Sequence, residues 1–288
     1  MPKDTTQPRF PFSCWIAVEL LMIAAAALNV CRQAPAQEQT THTAGPASAS
    51  VPDAPTPQTS SSGNVTIHSI PRDLLHDQEA IWTSPARIRA HDLAWLLPLA
   101  AATGIAFATD RHTMTDVVSH DPSFNQASID TSNALIGGMI AVPVAVYGFG
   151  LKTQDDHARQ AGVLTGESMV DGVVVEEALK LVSWRERPNV DDARGRFFQS
   201  NVGADSSFPS SHSIIAWSAA SALAAEYSAP WKQFALYSAA TGVSLTRVMA
   251  QQHFPSDVLV GSSLGWLIGH NVVRRHHKNR QLGSGNRE

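Results

Sequence analysis

The chain has 288 residues, 16% of them charged, and a formal net charge of −4. That length holds one core of ordinary domain size plus terminal extensions, and its sparse, slightly acidic charge offers no basic stripe of the kind that neutralises nucleic-acid phosphates. Both cysteines, Cys14 and Cys31, lie near the N-terminus, which excludes a disulfide framework or a zinc-thiolate site for everything downstream.

At the N-terminus, Lys3 and Arg9 precede an apolar stretch from about Leu20 to Val30, followed by Ala34, Pro35 and Ala36, small residues of the cleavage-site type. Residues 1–36 read as a signal peptide or an N-terminal anchor, which predicts an exported protein, periplasmic or membrane-associated, with its working site outside the cytoplasm. Glu19 shortens the apolar run, and Val30 is bulkier than the residue that precedes a lipidated cysteine, which argues against lipidation at Cys31. Residues 37–64 are Ala, Pro, Ser, Thr and Gln with almost no large apolar side chain, a composition that cannot offset its ordering entropy and predicts a disordered linker. Residues 65–90 read as a peripheral segment or short helix, 91–275 as the main domain, and 276–288 as a basic flexible tail.

Within the domain, apolar residues come in long blocks and not in alternation, which predicts an all-α fold. Helices are expected at about 92–108, 132–150, 161–186, 213–228, 231–249 and 256–273, packed as a compact six-helix bundle. If every block crossed a bilayer, starting from residue 90 outside, the Lys180 region would face the cytoplasm and the basic tail would end outside, against the positive-inside tendency. The block at 161–180 also carries Glu167, Asp171, Glu176, Glu177 and Lys180, too many charges for a lipid-facing span, although such groups suit a bundle interior. Membrane association and a water-soluble bundle both remain open at this level.

Three stretches concentrate groups that bind phosphate and move protons. Lys180 and Arg187 are seven residues apart, nearly on one helix face at about 100° per residue, and Pro188 ends the helix. The bland alternative is a set of surface pairs joining Lys180, Arg185 and Arg187 to Glu176, Glu177 and Glu186. Next, Pro209, Ser210, Ser211 and His212 open an apolar run, so free backbone N–H groups of a helix start form an anion seat beside an imidazole; the bland alternative is a helix cap. Finally, Arg247 precedes His253, and Pro255 sets Asp257 in the first turn of the last helix, one turn from the His253 ring. A carboxylate there would fix the tautomer of His253 and leave its other nitrogen as a nucleophile, the bland alternative being a structural His–Asp pair. The adjacent pairs Asp155 with Asp156 and Asp191 with Asp192 point apart and read as solvated loops. His91, His112, His120, His157 and His270 lack surrounding motifs and read as surface or packing residues.

Taken together and in this order, Lys-x6-Arg-Pro, Pro-Ser-x-His and Arg-x5-His-x3-Asp resemble the signature of the type 2 phosphatidic acid phosphatase (PAP2) and vanadium haloperoxidase superfamily. The resemblance implies that Lys180, Arg187 and Arg247 hold phosphate oxygens with Ser210 and the backbone N–H of Ser211. It further implies that His253 attacks phosphorus to give a phosphohistidine, oriented by Asp257, and that His212 protonates the leaving oxygen and then activates water. Two positions depart from the pattern: Ser211 stands where the family has glycine, which threatens to crowd the backbone approach to phosphate, and Thr246 stands for serine. The implied function is a phosphatase for monoesters or diphosphates, with a phosphorylated lipid such as phosphatidate or a polyprenyl diphosphate, or a small phosphate ester, as partner. No metal or other cofactor is expected. Two alternatives keep the pocket: a haloperoxidase that holds vanadate, and a noncatalytic envelope protein that binds lipid phosphate, for which Ser211 is the supporting feature.

Overall fold

Each of the long apolar blocks folds as a helix in the computed structural model, which describes residues 69–202 and 205–285. The expected leader at 1–36 and linker at 37–64 lie outside the described residues. The helices are α1 (Ile70–Thr83), α2 (Leu93–His112), α3 (Pro122–Thr153), α4 (Asp156–Ser183), α5 (Ser211–Glu226), α6 (Pro230–Met249) and α7 (Pro255–Gly285). No strand occurs among the described residues, so the all-α expectation stands.

Two expectations need correction. There are seven α-helices among the described residues and not six, because the stretch read as a peripheral segment or short helix outside the bundle forms α1, started by Pro71 and with Asp73 in its first turn. The segment from 276 onward is not a flexible tail over its first ten residues: α7 continues to Gly285. It does so because polar side chains meet partners there, His276 at Glu167, His277 at Glu226 and Arg280 at Gln160. Helix α3 also starts ten residues before its apolar block, where Asp121 caps it by accepting from the N–H groups of Ser123 and Phe124.

Helix α5 is apolar or small on every side and is buried along nearly its whole length, as expected of a central helix. Its alanines and serines let α7 approach closely through a stripe of glycines. A Cβ on Gly265 would lie 2.4 Å from the Ile214 carbonyl oxygen, and one on Gly269 would lie 2.4 Å from that of Ser218. Around this pair, Ile136, Met139, Met169, Trp217, Tyr237 and Val243 join α3, α4, α5 and α6 in one apolar cluster. Leu164, Val175, Ile268 and Val272 build a second between α4 and α7. The charges of α4 that argued against a lipid-facing span, Glu167, Asp171, Glu176 and Lys180, all point into the bundle and are buried, whereas Glu177 is exposed.

Among the described residues two segments, Ala90–Val117 and Pro122–Thr153, are long and apolar enough to cross a membrane, and few of their residues are buried. Leu97, Ile105, Val144 and Phe149 face outward from them.

Because the α5–α7 contact is backbone against backbone, Gly265→Ala is expected to cost about 1–3 kcal/mol through overpacking. In thermal unfolding that is a fall of several degrees in Tm. Gly166→Ala, which meets nothing within 4 Å, should leave Tm unchanged or slightly raised; equal Tm values for the two variants would contradict this packing.

Candidate active site

The site is built where α4, α5 and α7 meet the loop from Trp184 to Ser210. Helix α4 ends at Ser183 and not at Pro188 as expected, because Trp184 takes a left-handed conformation (φ 40°), its N–H returning to the Lys180 carbonyl; Arg187 therefore lies in the following loop and does not share a helix face with Lys180. The chain then turns back under the helix, with Ser207 N–H on the Arg185 carbonyl and Ser210 N–H on that of Asp257. Helix α5 therefore starts beside both the end of α4 and the start of α7.

Arg185, weighed from sequence only as a surface charge, is the buried hub of this junction. Its guanidinium donates to Asp110 at 2.7 Å, Asp257 at 2.5 Å and Ser256 at 2.7 Å, and to the Gly195 carbonyl at 3.2 Å. It also stands over the rings of Phe254, Phe197 and Phe107 at 4.1, 4.8 and 5.1 Å from their centroids. Of the surface pairs considered above, only Lys180 with Glu176 forms, and it is buried; Arg187 pairs with Asp205, and Glu186 with Arg196.

The predicted phosphate and proton groups gather around this hub. Lys180 Nζ lies 2.5 Å from Glu176 and donates to the Ser211 hydroxyl at 2.8 Å. Arg187 donates to Asp205 and, at 3.1 Å, to the Gln252 carbonyl. Arg247 is 7% exposed and its Nε has no partner, so a cation with a spare donor faces the site. Burial first, then Arg187, lowers Arg247 to about 10.

Both imidazoles respond to the same cations. Burial lowers His212 to about 4, assisted by repulsion from Arg247, Lys180 and Arg187. His253, 2% exposed, is held well below the usual histidine value by burial and then by Arg187, Arg247 and Lys180. Shared repulsion from three cations means that both rings border one electropositive region. Both rings thus lie within electrostatic reach of the same three cations.

One expected contact is different. Asp257 does not bond the His253 ring: its carboxylate is 3.9 Å from Nδ1, beyond hydrogen-bond reach. The Ser207 carbonyl takes that place, 2.7 Å from Nδ1. A carbonyl only accepts, so Nδ1 carries the hydrogen and Nε2 keeps its lone pair. Asp257 works one bond further back, accepting from the Ser207 hydroxyl at 2.5 Å, the Phe254 N–H at 2.9 Å and Arg185. Burial pushes Asp257 up to about 7 against the pull of Arg185.

Ser210 is fully buried and receives the Ser213 hydroxyl at 3.1 Å, leaving its own hydrogen to donate. Ser211 does not crowd the helix start as feared, because its hydroxyl turns away to donate to Glu176 at 2.6 Å while accepting from Lys180. Thr246 bonds carbonyls within its own helix. Sequence reading missed Glu176 as a site residue, together with Asp110, Ser207, Ser256 and Asn133, whose Oδ1 lies 3.4 Å from His212 Nε2. Of these only Ser256 falls inside a motif, at a position the motif leaves unspecified; the Arg185 charge beside Arg187 gave the other local sign.

Comparisons with known proteins bear on this arrangement. The model of the PAP2 superfamily matches residues 161–281, the part of the chain that supplies all three motifs. Over 175 residues the chain is 26% identical to the "Lipid A 1-phosphatase" of Porphyromonas gingivalis, a match that covers 60% of this chain and 36% of that protein. The chain thus spans little more than a third of that relative's length. No solved structure matches.

Removing Arg185 strands two buried carboxylates, so Arg185→Ala should cost about 3–5 kcal/mol of stability, read as a large fall in the thermal midpoint. A loss below about 1 kcal/mol, the scale of an exposed ion pair, would contradict its role as the hub.

Proposed function

Residues 161–281 belong to the PAP2 superfamily, and on that premise we propose that the protein is a phosphoric ester hydrolase working through a phosphohistidine, without a catalytic metal. The observation that carries the reading is the Ser207 carbonyl on His253 Nδ1, which leaves Nε2 as the unprotonated nitrogen in a region lined by Lys180, Arg187 and Arg247.

The chemistry follows from that placement. A phosphoryl group seated among the three cations and the first N–H groups of α5 has the charge on its oxygens neutralised, which is the main demand of phosphoryl transfer. The Nε2 lone pair attacks phosphorus as the bond to the leaving oxygen breaks. The positive charge that forms on the ring is relieved through Nδ1–H to the Ser207 carbonyl, itself held by the bond from the Ser207 hydroxyl to Asp257. His212 is lowered first by burial and then by the cations; a bound phosphate dianion offsets both by attracting a proton to that ring, which then gives it to the leaving oxygen. Neutral again, it draws a proton from the water that releases phosphate.

We assign the substrate to phosphorylated lipids, with phosphatidate or a polyprenyl diphosphate as the first candidates. Support comes from the name of the relative, from the outward apolar faces of α2 and α3, and from Leu181, Val182 and Phe198, exposed next to the cationic residues. These features also favour membrane association. The turn between α2 and α3 adjoins the site through Gln251, which bonds the Ser119 carbonyl. A hairpin of α2 and α3 crossing with that turn outside sets residue 90 in the cytoplasm.

His253→Ala is expected to reduce release of inorganic phosphate by about a thousandfold or more, and His212→Ala by about 10²–10⁴-fold, whereas chelators leave turnover intact and vanadate competes with substrate. Phosphatidate, a polyprenyl diphosphate and a soluble aryl phosphate assayed side by side rank the substrates. Full activity in the His253→Ala protein would end the mechanism.

The lowered His253 sets the pH dependence. A nucleophile whose folded pKa lies well below 6.5 stays unprotonated into acid, so kcat/KM corrected for substrate ionisation should not fall from pH 7 to pH 5. An imidazole of ordinary pKa would lose about thirtyfold over that range, and a loss of that size would contradict the burial argument.

A further inference from the structure

At the end of the bundle away from Lys180 and His253, α1, α4 and α7 enclose a second polar cluster that the proposed phosphatase chemistry does not use. Helix α1 contributes Asp73 and Asp77, α4 contributes Glu167 and Asp171, and α7 contributes His276. One ligand atom from each of Asp73, Glu167 and His276 lies within 4.8 Å of the others. His276 Nε2 is 3.3 Å from Glu167 Oε1 and 4.0 Å from Asp77 Oδ2.

The balance of charge and hydrogen bonds is incomplete. Asp77, Glu167 and Asp171 are 3%, 1% and 0% exposed, yet Asp77 Oδ2, Glu167 Oε2 and Asp171 Oδ2 have no hydrogen-bond partner. Arg275 covers only Asp77 Oδ1, at 2.7 Å, and Gln78 only Asp171 Oδ1, at 2.8 Å. Four carboxylates therefore face one guanidinium and one imidazole in a dry setting, where uncompensated charge is costly. A proton shared between two carboxyls relieves one charge; a dication relieves two and gives several orphaned oxygens a partner at once.

We propose that Asp73, Glu167 and His276 bind one first-row divalent cation, of the Zn²⁺ or Mn²⁺ kind, beside the Asp77 carboxylate, and that it clamps α1 onto α4 and α7. Carboxylate oxygens with one imidazole nitrogen and no thiolate suit these ions. Bonds of about 2.1 Å require ligand atoms no more than about 4.2 Å apart, so side-chain adjustments of under about 1 Å close the site. Asp73 is half-buried and gives the ion an entry path.

The test uses the untagged full chain, stripped with chelator and dialysed against Zn²⁺ or Mn²⁺. The expected result is one bound equivalent per chain, a thermal midpoint raised by about 3 °C or more on adding the ion, and a loss of affinity of about tenfold or more in both His276→Ala and Glu167→Gln. His157→Ala, which alters the separate pairing at Glu226, should bind as the parent does. Anomalous scattering from crystals of the parent protein locates the ion independently of how the variants fold. Less than a tenth of an equivalent bound, undiminished binding in both variants, or an ion found at His212 and His253 instead would overturn the proposal, the first leaving a shared proton as the occupant of the cluster.

Discussion

The Arg185 guanidinium, 3% exposed, ties the end of α2 to the start of α7 by bonding Asp110 and Asp257 at once. The candidate nucleophile and the start of α5 hang from that junction. Asp257 turns from Arg185 to the Ser207 hydroxyl, the Ser207 carbonyl meets His253, and the Asp257 carbonyl receives the Ser210 N–H that positions the start of α5. A charge so deeply buried is tolerable only when it is fully paired. The pairing here is complete, with two carboxylates, a hydroxyl, a carbonyl and three aromatic rings around one side chain.

Such a frame allows like charges to be held together. Lys180, Arg187 and Arg247 repel one another, and two of them are restrained by carboxylates, Glu176 and Asp205. Burial first, and then the repulsion that remains, shifts His212 and His253 down. An anion of two charges relieves all of these strains at once. Preorganised positive charge of this kind is worth most where water is excluded, because no dipoles need reorient as the transition state forms. The Ser211 hydroxyl belongs to the same restraint, since it bridges Lys180 and Glu176 where a glycine would leave both without that bond.

Much of this was legible in the residues. Long apolar blocks foretold the helices, and the motifs placed Lys180, His212 and Arg247 in terminal turns of helices and Arg187 and His253 in the loops beside them. The capping carboxylate of Asp121 and the polar contacts of His276 and His277 were not legible as helix extensions, since local composition there is polar and only tertiary partners make the helix hold. The Asp257 contact was misread for a related reason. One helical turn does bring its carboxylate near His253, but a buried carboxylate goes to the strongest available donors. Those are Arg185, 72 residues away along the chain, and the Ser207 hydroxyl. No local pattern announces a partner at that separation, nor the bond between Arg185 and Asp110.

The claim at the centre is that one nitrogen of one imidazole becomes bonded to phosphorus. It is tested most directly by a single-turnover reaction with radiolabelled phosphatidate, quenched in base and analysed by peptide mapping. The account predicts an acid-labile, base-stable label on His253 Nε2 that disappears as inorganic phosphate is released. Phosphate release with no label at any time, or a label that survives in the His253→Ala protein, would contradict it.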